Sequence, residues 1–452
     1  MKHWSYESIF YHIYPLGLCG APQNNDFRSA PVPRLNVIRK WIDHMRSLGV
    51  NALYLGPLFE SAKHGYDTAD YLTVDRRLGD NRLLAELVSE LHRNGIRVIL
   101  DGVFHHVGRD FWAFRTLLSR GQSSEYCEWF DGIDFDRPGA CGTPFSYNCW
   151  NGHYSLVKLN HQSSSLRDYL LKAVERWIAE FDIDGLRLDV ADLLDLDFQK
   201  ALARHCKNLK GDFWLMGEVI HGDYRKWVNS ETIDSVTNYE NYKGLFSSHN
   251  DGNYFEIAYS LDRQFGPSGL YRDLPLYSFV DNHDVNRIAS TLKDSRHLYP
   301  LHCILFTMPG VPSIYYGSEW GISGRKENGN DYTLRPFLNI DDSPGASANP
   351  DLKKIITKLA GIRKSSRALK YGGYQQLHVS GRQLVFLRES EGEKVIVAVN
   401  SADEKISLDL KVPGVTGALY SDLINEGEQI TSADGTLKVD IHPCWARILR
   451  ME

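Results

Sequence analysis

Four short stretches of the chain run from apolar residues into a carboxylate with an imidazole or guanidinium close by. They are Asp101-Gly-Val-Phe-His-His106, Gly185-Leu-Arg-Leu-Asp189, Met216-Gly-Glu218 and Phe279-Val-Asp-Asn-His-Asp284. Brought together, they supply three carboxylates (Asp189, Glu218, Asp284), the guanidinium of Arg187, the imidazoles of His106 and His283, and the further acid Asp101. Breaking a glycosidic bond takes two carboxyl groups across the anomeric carbon, one as nucleophile or base and one as protonated acid. Asp189 follows Arg187 by two residues, so on a strand both side chains point to one face. A guanidinium beside it favours the ionised carboxylate, which suits a nucleophile. Glu218 ends the apolar run Phe-Trp-Leu-Met-Gly, a partly desolvated setting that suits a general acid. Asp284, with His283 beside it, is a third carboxylate able to bond sugar hydroxyls and hold a distorted ring. Taken singly, an Arg-x-Asp or a strand-terminal Glu is an ordinary structural pair. Four such motifs on one scaffold make a catalytic constellation.

That constellation needs elements that end at one level. The first two thirds of the chain alternates strand-like apolar runs with amphipathic stretches, the pattern of βα units. Strands are predicted at Ile9–Leu16, Ala52–Leu55, Arg97–Val103, Gly185–Asp189, Phe213–Glu218, Ser235–Asn238, Leu276–Val280 and Ser313–Tyr316. Helices are predicted at Leu35–Leu48, Arg82–Asn94 and Leu166–Glu180, with apolar residues at i, i+3, i+4. Eight βα units predict a (β/α)8 barrel, whose chemistry sits at the C-terminal ends of its strands. The interval from His106 to Asn160 is rich in Gly, Ser, Cys and aromatics and is too long for a simple loop. It reads as a subdomain inserted after strand three. From about Tyr371 the spacing changes to short alternating runs separated by turn residues, which reads as a C-terminal antiparallel β-sandwich. The expected organisation is a barrel over 1–105 and 161–367, an inserted domain over 106–160 and the sandwich over 368–452.

The four motifs, in this order and on these strands, resemble those of the α-amylase family of retaining α-glucoside-acting enzymes, and the resemblance covers essentially the whole chain. It implies Asp189 as nucleophile, Glu218 as general acid/base and Asp284 as transition-state stabiliser. Arg187, His106 and His283 match positions that bind the carboxylates and hydroxyls around the reacting glucose, and Asp101 belongs to the same first motif. The segment Lys63-His-Gly-Tyr-Asp-Thr-Ala-Asp-Tyr71 is similar to the family's motif after strand two, which makes Tyr66 the stacking platform. Gly152-His-Tyr-Ser-Leu-Val-Lys-Leu-Asn160 and Gly217-Glu-Val-Ile-His221 resemble the cyclomaltodextrinase and neopullulanase group. That group carries an extra N-terminal β-domain that helps it dimerise, whereas this chain opens on the barrel's first strand, and the oligomeric state is left open. Where calcium-binding members have an Asn after strand three and a His after the nucleophile, this chain has His105 and Leu193, neither a hard oxygen donor. The expectation is therefore no cofactor and no metal, a structural calcium included. Asp192 replaces a Lys common in endo-acting amylases. Late in the barrel, Glu319 and Arg335 read equally as cleft residues or as an ion pair holding a loop.

Composition narrows the partners. The 452 residues are 42% hydrophobic and 24% charged with net charge -6, and no Lys/Arg run gives a reason to expect nucleic acid. The N-terminus lacks the layout of a secretory signal, and no run is long enough to span a membrane. Seven scattered cysteines, never at metal-ligand spacing, fit reduced thiols in the cytoplasm. The expectation is a cytoplasmic retaining hydrolase of α-1,4 bonds in malto-oligosaccharides. Its rivals are a glucosyl transferase, an enzyme of α-1,6 glucosides or sucrose on the same site, and a non-catalytic binding homologue.

Overall fold

The computed structural model describes residues 3–327, 329–342, 349–412 and 417–452. Eight strands form one parallel sheet: β1 Phe10–Ile13, β2 Ala52–Leu55, β3 Arg97–Gly102, β4 Gly185–Leu188, β5 Trp214–Gly217, β6 Ser235–Val236, β7 Tyr277–Ser278 and β8 Val311–Tyr315. Their order is β6-β5-β4-β3-β2-β1-β8-β7, and a parallel bridge between Thr237 and Tyr277 closes the ring into a (β/α)8 barrel. β2 has the predicted bounds and β8 starts two residues earlier than predicted, at Val311, while the other six strands are shorter than their apolar runs predict. β1 stops at Ile13 because Pro15, lacking an N–H, begins a short helix over Pro15–Leu18. β6 and β7 keep two residues each, and the rest of their apolar runs turns into the loops above the barrel. The stretch predicted as one helix over Leu35–Leu48 is two, Asn36–Arg39 and Ile42–Ser47. Asn81–Arg93 and Ser164–Phe181 form as expected, each N-capped by the side chain before it, Asp80 and Ser163.

Register decides where the chemistry gathers. Arg187 on β4 pairs with Asp101 on β3 and with Met216 on β5, so the residues that follow, Asp189 and Glu218, leave the barrel side by side. Immediately after β3 the chain enters a three-stranded antiparallel sheet of His106–Gly108, Cys149–Trp150 and His153–Lys158, with the helix Trp112–Arg120 between its first two strands. Phe111, Phe114, Trp129, Phe130, Phe145 and Tyr147 bury their rings there, continuous with the barrel core. This small sheet stands beside the C-terminal mouth of the barrel.

The C-terminal region adds β9 Gly373–Val379, β10 Gln383–Ser390, β11 Glu393–Asn400, β12 Ile406–Lys411, β13 Leu419–Asp422, β14 Gln429–Thr431, β15 Thr436–Ile441 and β16 Trp445–Met451. Six form an antiparallel sheet in the order β9-β10-β11-β16-β13-β14, and β12 pairs with β15. The large sheet is apolar on both faces. Val385, Leu387, Ile396 and Ala398 pack against Leu410, Leu437 and Val439 of the small sheet, while Leu384, Phe386, Val395, Val397 and Val399 join the barrel core. That double burial is why Val395–Val399 is a continuous apolar run rather than an alternating one. No helix among the described residues is long and apolar enough to cross a membrane.

Two imidazoles buried under the barrel helices set a pH dependence. His249 bonds the Leu245 carbonyl at 2.6 Å and the Tyr254 hydroxyl at 2.7 Å, and His302 bonds the Leu298 carbonyl at 2.7 Å. Burial pushes His249 down to about 3 and His302 down to about 4. Each folded value lies below the unfolded one, so their stability contribution is complete above pH ~6.5 and is lost as pH falls toward the folded values, at ~1.4 kcal/mol per pH unit for each imidazole. Urea unfolding of the parent and of His249→Gln at pH 7 and pH 5 checks this. The parent is expected to lose ~2 kcal/mol more than the variant over that interval, and equal losses would refute the assignment.

Candidate active site

Arg187 is the hub of the site. It is buried on β4, and its Nη1 donates to Asp101 Oδ1 at 3.0 Å and to Asp189 Oδ1 at 2.7 Å. Its Nη2 lies 2.8 Å from Glu218 Oε2. One planar guanidinium therefore ties Asp189 to Glu218, each leaving one oxygen free of it. Asp101 also accepts from the Tyr54 hydroxyl at 2.8 Å and the Tyr66 hydroxyl at 3.0 Å, so its charge is fully occupied in holding the floor of the site. The Asp189 Oδ2 oxygen faces His106 Nε2 at 3.9 Å. That Nε2 has no hydrogen-bond partner among the described residues, and the gap suits a bridging hydroxyl. Burial, with His105 and His64 nearby, pushes the His106 imidazole down to about 3, so it acts as a neutral hydrogen-bonding group.

The opposite wall is built on the loop after β7. His283 Nε2 is 2.9 Å from Asp284 Oδ2, and Arg335 Nη2 donates to Asp284 Oδ1 at 2.8 Å while its Nε donates to the His283 carbonyl at 2.9 Å. The His283 ring lies nearly parallel to those of Tyr66 (centroids 5.5 Å apart, planes at 10°) and Tyr14 (5.9 Å, 14°), and Arg335 lies 4.6 Å over the Tyr14 ring. Tyr66 also contacts His283 Nε2 through its hydroxyl. Every residue singled out from the sequence (Asp189, Glu218, Asp284, Tyr66, Asp101, His106, Arg187, His283 and Arg335) is thus linked in one network at the C-terminal mouth of the barrel.

Electrostatics separates the carboxylates. Burial pushes the Asp189 carboxyl well above the usual carboxylate range; Arg187 pulls it down, but Glu218 and Asp101 reinforce burial. The expectation that Arg187 favours the ionised Asp189 holds for the sign of that interaction, which burial and the two neighbouring carboxylates oppose. Asp284 goes the other way. Burial raises it, yet His283, Arg335 and Arg187 outweigh burial and hold it well below the usual range. Four acids (Asp101, Asp189, Glu218, Asp284) face two guanidiniums (Arg187, Arg335), so the cleft favours a reacting centre that gains positive charge.

The alternative pairing of Glu319 with Arg335 is corrected. Gly317 takes a left-handed φ of 91° and turns the chain outward, so Glu319 is fully buried behind the barrel, bonded by Tyr11 and His44 at 2.6 Å each. Arg335 pairs instead with Asp284 and, at 3.1 Å, with Asp331. Tyr14, Tyr54, Tyr239 and Asn282 belong to the site without being candidates from the sequence. Tyr54 shares the inward face of β2 with Ala52, a signal the alternation carries. Tyr239 approaches Glu218 Oε1 at 3.5 Å and accepts from Asn282 at 3.1 Å; Asn282 lies inside the Phe279–Asp284 motif, whereas no local motif marks Tyr239. At the two positions where the resemblance places calcium ligands, His105 is buried with its Nδ1 against that of His106, near Lys158, and Leu193 is 55% exposed. These side chains do not fit a hard dication.

Comparison with known proteins follows the same lines. Residues 33–343 match the family described as "Alpha amylase, catalytic domain", and residues 374–448 match "Maltogenic Amylase, C-terminal domain". A cyclomaltodextrinase from a Bacillus species is 31% identical over 417 residues, which cover 88% of this chain and 73% of that protein. A solved cyclomaltodextrinase structure superposes with a TM-score of 0.86 at 28% identity, covering 99% of this chain and 78% of that one. The complex of an Arthrobacter globiformis cyclic α-maltosyl-(1→6)-maltose hydrolase with cyclic α-maltosyl-(1→6)-maltose gives a TM-score of 0.83 at 25% identity, covering 99% of both chains. The catalytic-domain match spans more than half of the sequence and takes in the nine network residues named from the sequence, and the chain belongs to the α-amylase family of glycoside hydrolases.

Proposed function

We propose that the chain hydrolyses α-1,4-glucosidic bonds of malto-oligosaccharides by double displacement. The observation that carries this reading is the single Arg187 guanidinium joining Asp189 to Glu218. Two carboxyls held on one guanidinium suit a retaining site, whose carboxyls lie ~5–5.5 Å apart. Asp189 Oδ2, free of Arg187, attacks the anomeric carbon, while Glu218 protonates the departing oxygen. Arg187 and the positive charge developing at the anomeric carbon both favour the Asp189 carboxylate as it attacks. Water, deprotonated by Glu218, then breaks the glucosyl ester with net retention. Asp284, His283 and His106 bond hydroxyls of the reacting sugar, and Tyr66 meets its C–H face.

Maltohexaose labelled at the reducing end, with Asp189→Asn as the blank, tests the reading. Glucose or maltose released stepwise means exo action, mixed fragments mean endo action, and products longer than the substrate mean transfer. A label left intact refutes α-1,4 hydrolysis.

A cytoplasmic setting goes with this reading, supported by seven free thiols. So does independence from calcium. Excess EDTA is expected to leave the melting temperature within ~1 °C of the untreated protein's, since a ligand-bound fold would lose stability by mass action. A larger drop that added calcium reverses would refute it.

A further inference from the structure

The residue after Asp189 has a conformation its side chain opposes. Val190 sits at φ 41°, ψ 49°, in the left-handed region. Among the described non-glycine residues with positive φ (Phe27, Cys141, Asn151, Asp182, Val190, Asp434 and Cys444) it is the one β-branched residue. Valine is poorly suited there, because its branched Cβ crowds the backbone, and such strain gathers where surrounding structure forces it. The forcing contacts are on both sides. Asp189 N–H donates to the Gly102 carbonyl at 3.1 Å, and Ala191 N–H donates to the Glu218 carbonyl at 2.9 Å. Between them, Val190 N–H donates to Glu218 Oε2 at 3.1 Å.

The two oxygens of Glu218 are therefore unequal. Oε2 accepts from Val190 N–H and lies 2.8 Å from Arg187 Nη2, whereas among the described residues Oε1 has only the Tyr239 hydroxyl at 3.5 Å. An oxygen that accepts two donors, one of them charged, is a poor place for a proton. We propose that the left-handed turn at Val190 is a positioning device: its N–H, with Arg187, occupies Oε2 of Glu218, so that the proton for the leaving group is carried on Oε1. This rests on Glu218 being the acid/base. In the first step the Oε1–H bond breaks and its proton goes to the glycosidic oxygen, as that oxygen takes the electron pair of the C1–O bond and Asp189 bonds to C1. In the second step Oε1 takes a proton from water as its oxygen bonds to C1 and the ester breaks. Val190 is a positioning residue, since it touches Glu218 and not the sugar.

Replacing the Val190 residue by its α-hydroxy acid removes this N–H and keeps the side chain. Its kcat/KM is compared on maltotriose, whose leaving sugar needs a proton, and on α-glucosyl fluoride, whose leaving fluoride does not. A fall of ~10–100-fold on maltotriose, the scale of losing one hydrogen bond to a charged group, with a change of less than ~3-fold on the fluoride, is the expected result. Equal falls on both, or none on either, overturn the proposal. Val190→Gly keeps the N–H and accepts a left-handed φ at no steric cost. Its maltotriose-to-fluoride ratio is expected to lie nearer the parent's than the ester's, and the opposite order also overturns the proposal. Glu218→Gln serves as reference. If it shows no dependence on the leaving group, the acid/base reading of Glu218 has failed instead.

Discussion

Asp189→Ala and Glu218→Ala are each expected to lose on the order of 10⁴-fold or more in kcat on malto-oligosaccharides, and azide is expected to rescue them to opposite anomers. The argument is geometric. In Glu218→Ala, α-glucosyl fluoride still reacts with Asp189, because fluoride leaves without a proton. The β-linked ester then waits on the face opposite the empty Glu218 position, and azide entering there gives the α-glucosyl azide. In Asp189→Ala the cavity lies on the other face, beside the Arg187 guanidinium that held the missing carboxylate at 2.7 Å. Azide, a small anion, takes that place and displaces fluoride to give the β-glucosyl azide. The roles read from the network thus specify two products, identified by the H1–H2 coupling in proton NMR. If Asp189→Ala gave the α-azide, or if both variants gave one anomer, the assignment of nucleophile and acid/base would be wrong.

Much of this site was legible in the sequence because strand periodicity is simple. Arg187 and Asp189 lie two apart on one strand, and a two-residue period puts them on one face whatever the rest of the chain does. Their approach to Glu218 follows from neighbouring parallel strands, with Arg187 opposite Met216. What escaped lies in the loops. Glu319 follows β8 directly, and only the left-handed Gly317 sends it behind the barrel to Tyr11 and His44 while Arg335 returns to Asp284. Tyr239 follows Asn238 at the exit of a two-residue strand, and nothing in its own sequence separates it from tyrosines that only pack. The electrostatic balance was also hidden. The sequence shows the charge nearest Asp189, whereas the net effect depends on depth and on two further carboxylates. The sheet of the C-terminal region was clearer, since only a layer buried on both faces uses an unbroken run such as Val395–Val399.

The other large effect lies away from the chemistry, where the barrel meets the C-terminal sheet, and Arg388→Ala is expected to cost ~3–5 kcal/mol of stability. Arg388 on β10 is buried, and its Nη1, Nη2 and Nε donate to the carbonyls of Thr307, Gly372 and Gly373. Arg363, also buried, donates to the carbonyls of Phe306, Met308 and Gly310. Burial, with Arg363 nearby for Arg388, pushes Arg388 well below the usual guanidinium range and Arg363 down to about 10, so both charges are costly to place. The offset comes from the end of the helix Leu298–Thr307, whose last carbonyls have no partner within the helix and carry the negative end of its dipole. The two guanidiniums therefore cap this barrel helix from the side of the sandwich. Alanine leaves three carbonyls unpaired together with a void. Methionine fills the volume and removes the burial cost of the charge, so Arg388→Met is expected to lose only ~1–3 kcal/mol. Urea unfolding ranks the three proteins, and kcat at 25 °C is expected to stay within ~2-fold of the parent's, since Arg388 lies outside the network of Arg187. If Arg388→Met proved more stable than the parent, the cost of the buried charge would exceed the value of the cap, and the junction would owe its stability to apolar packing alone.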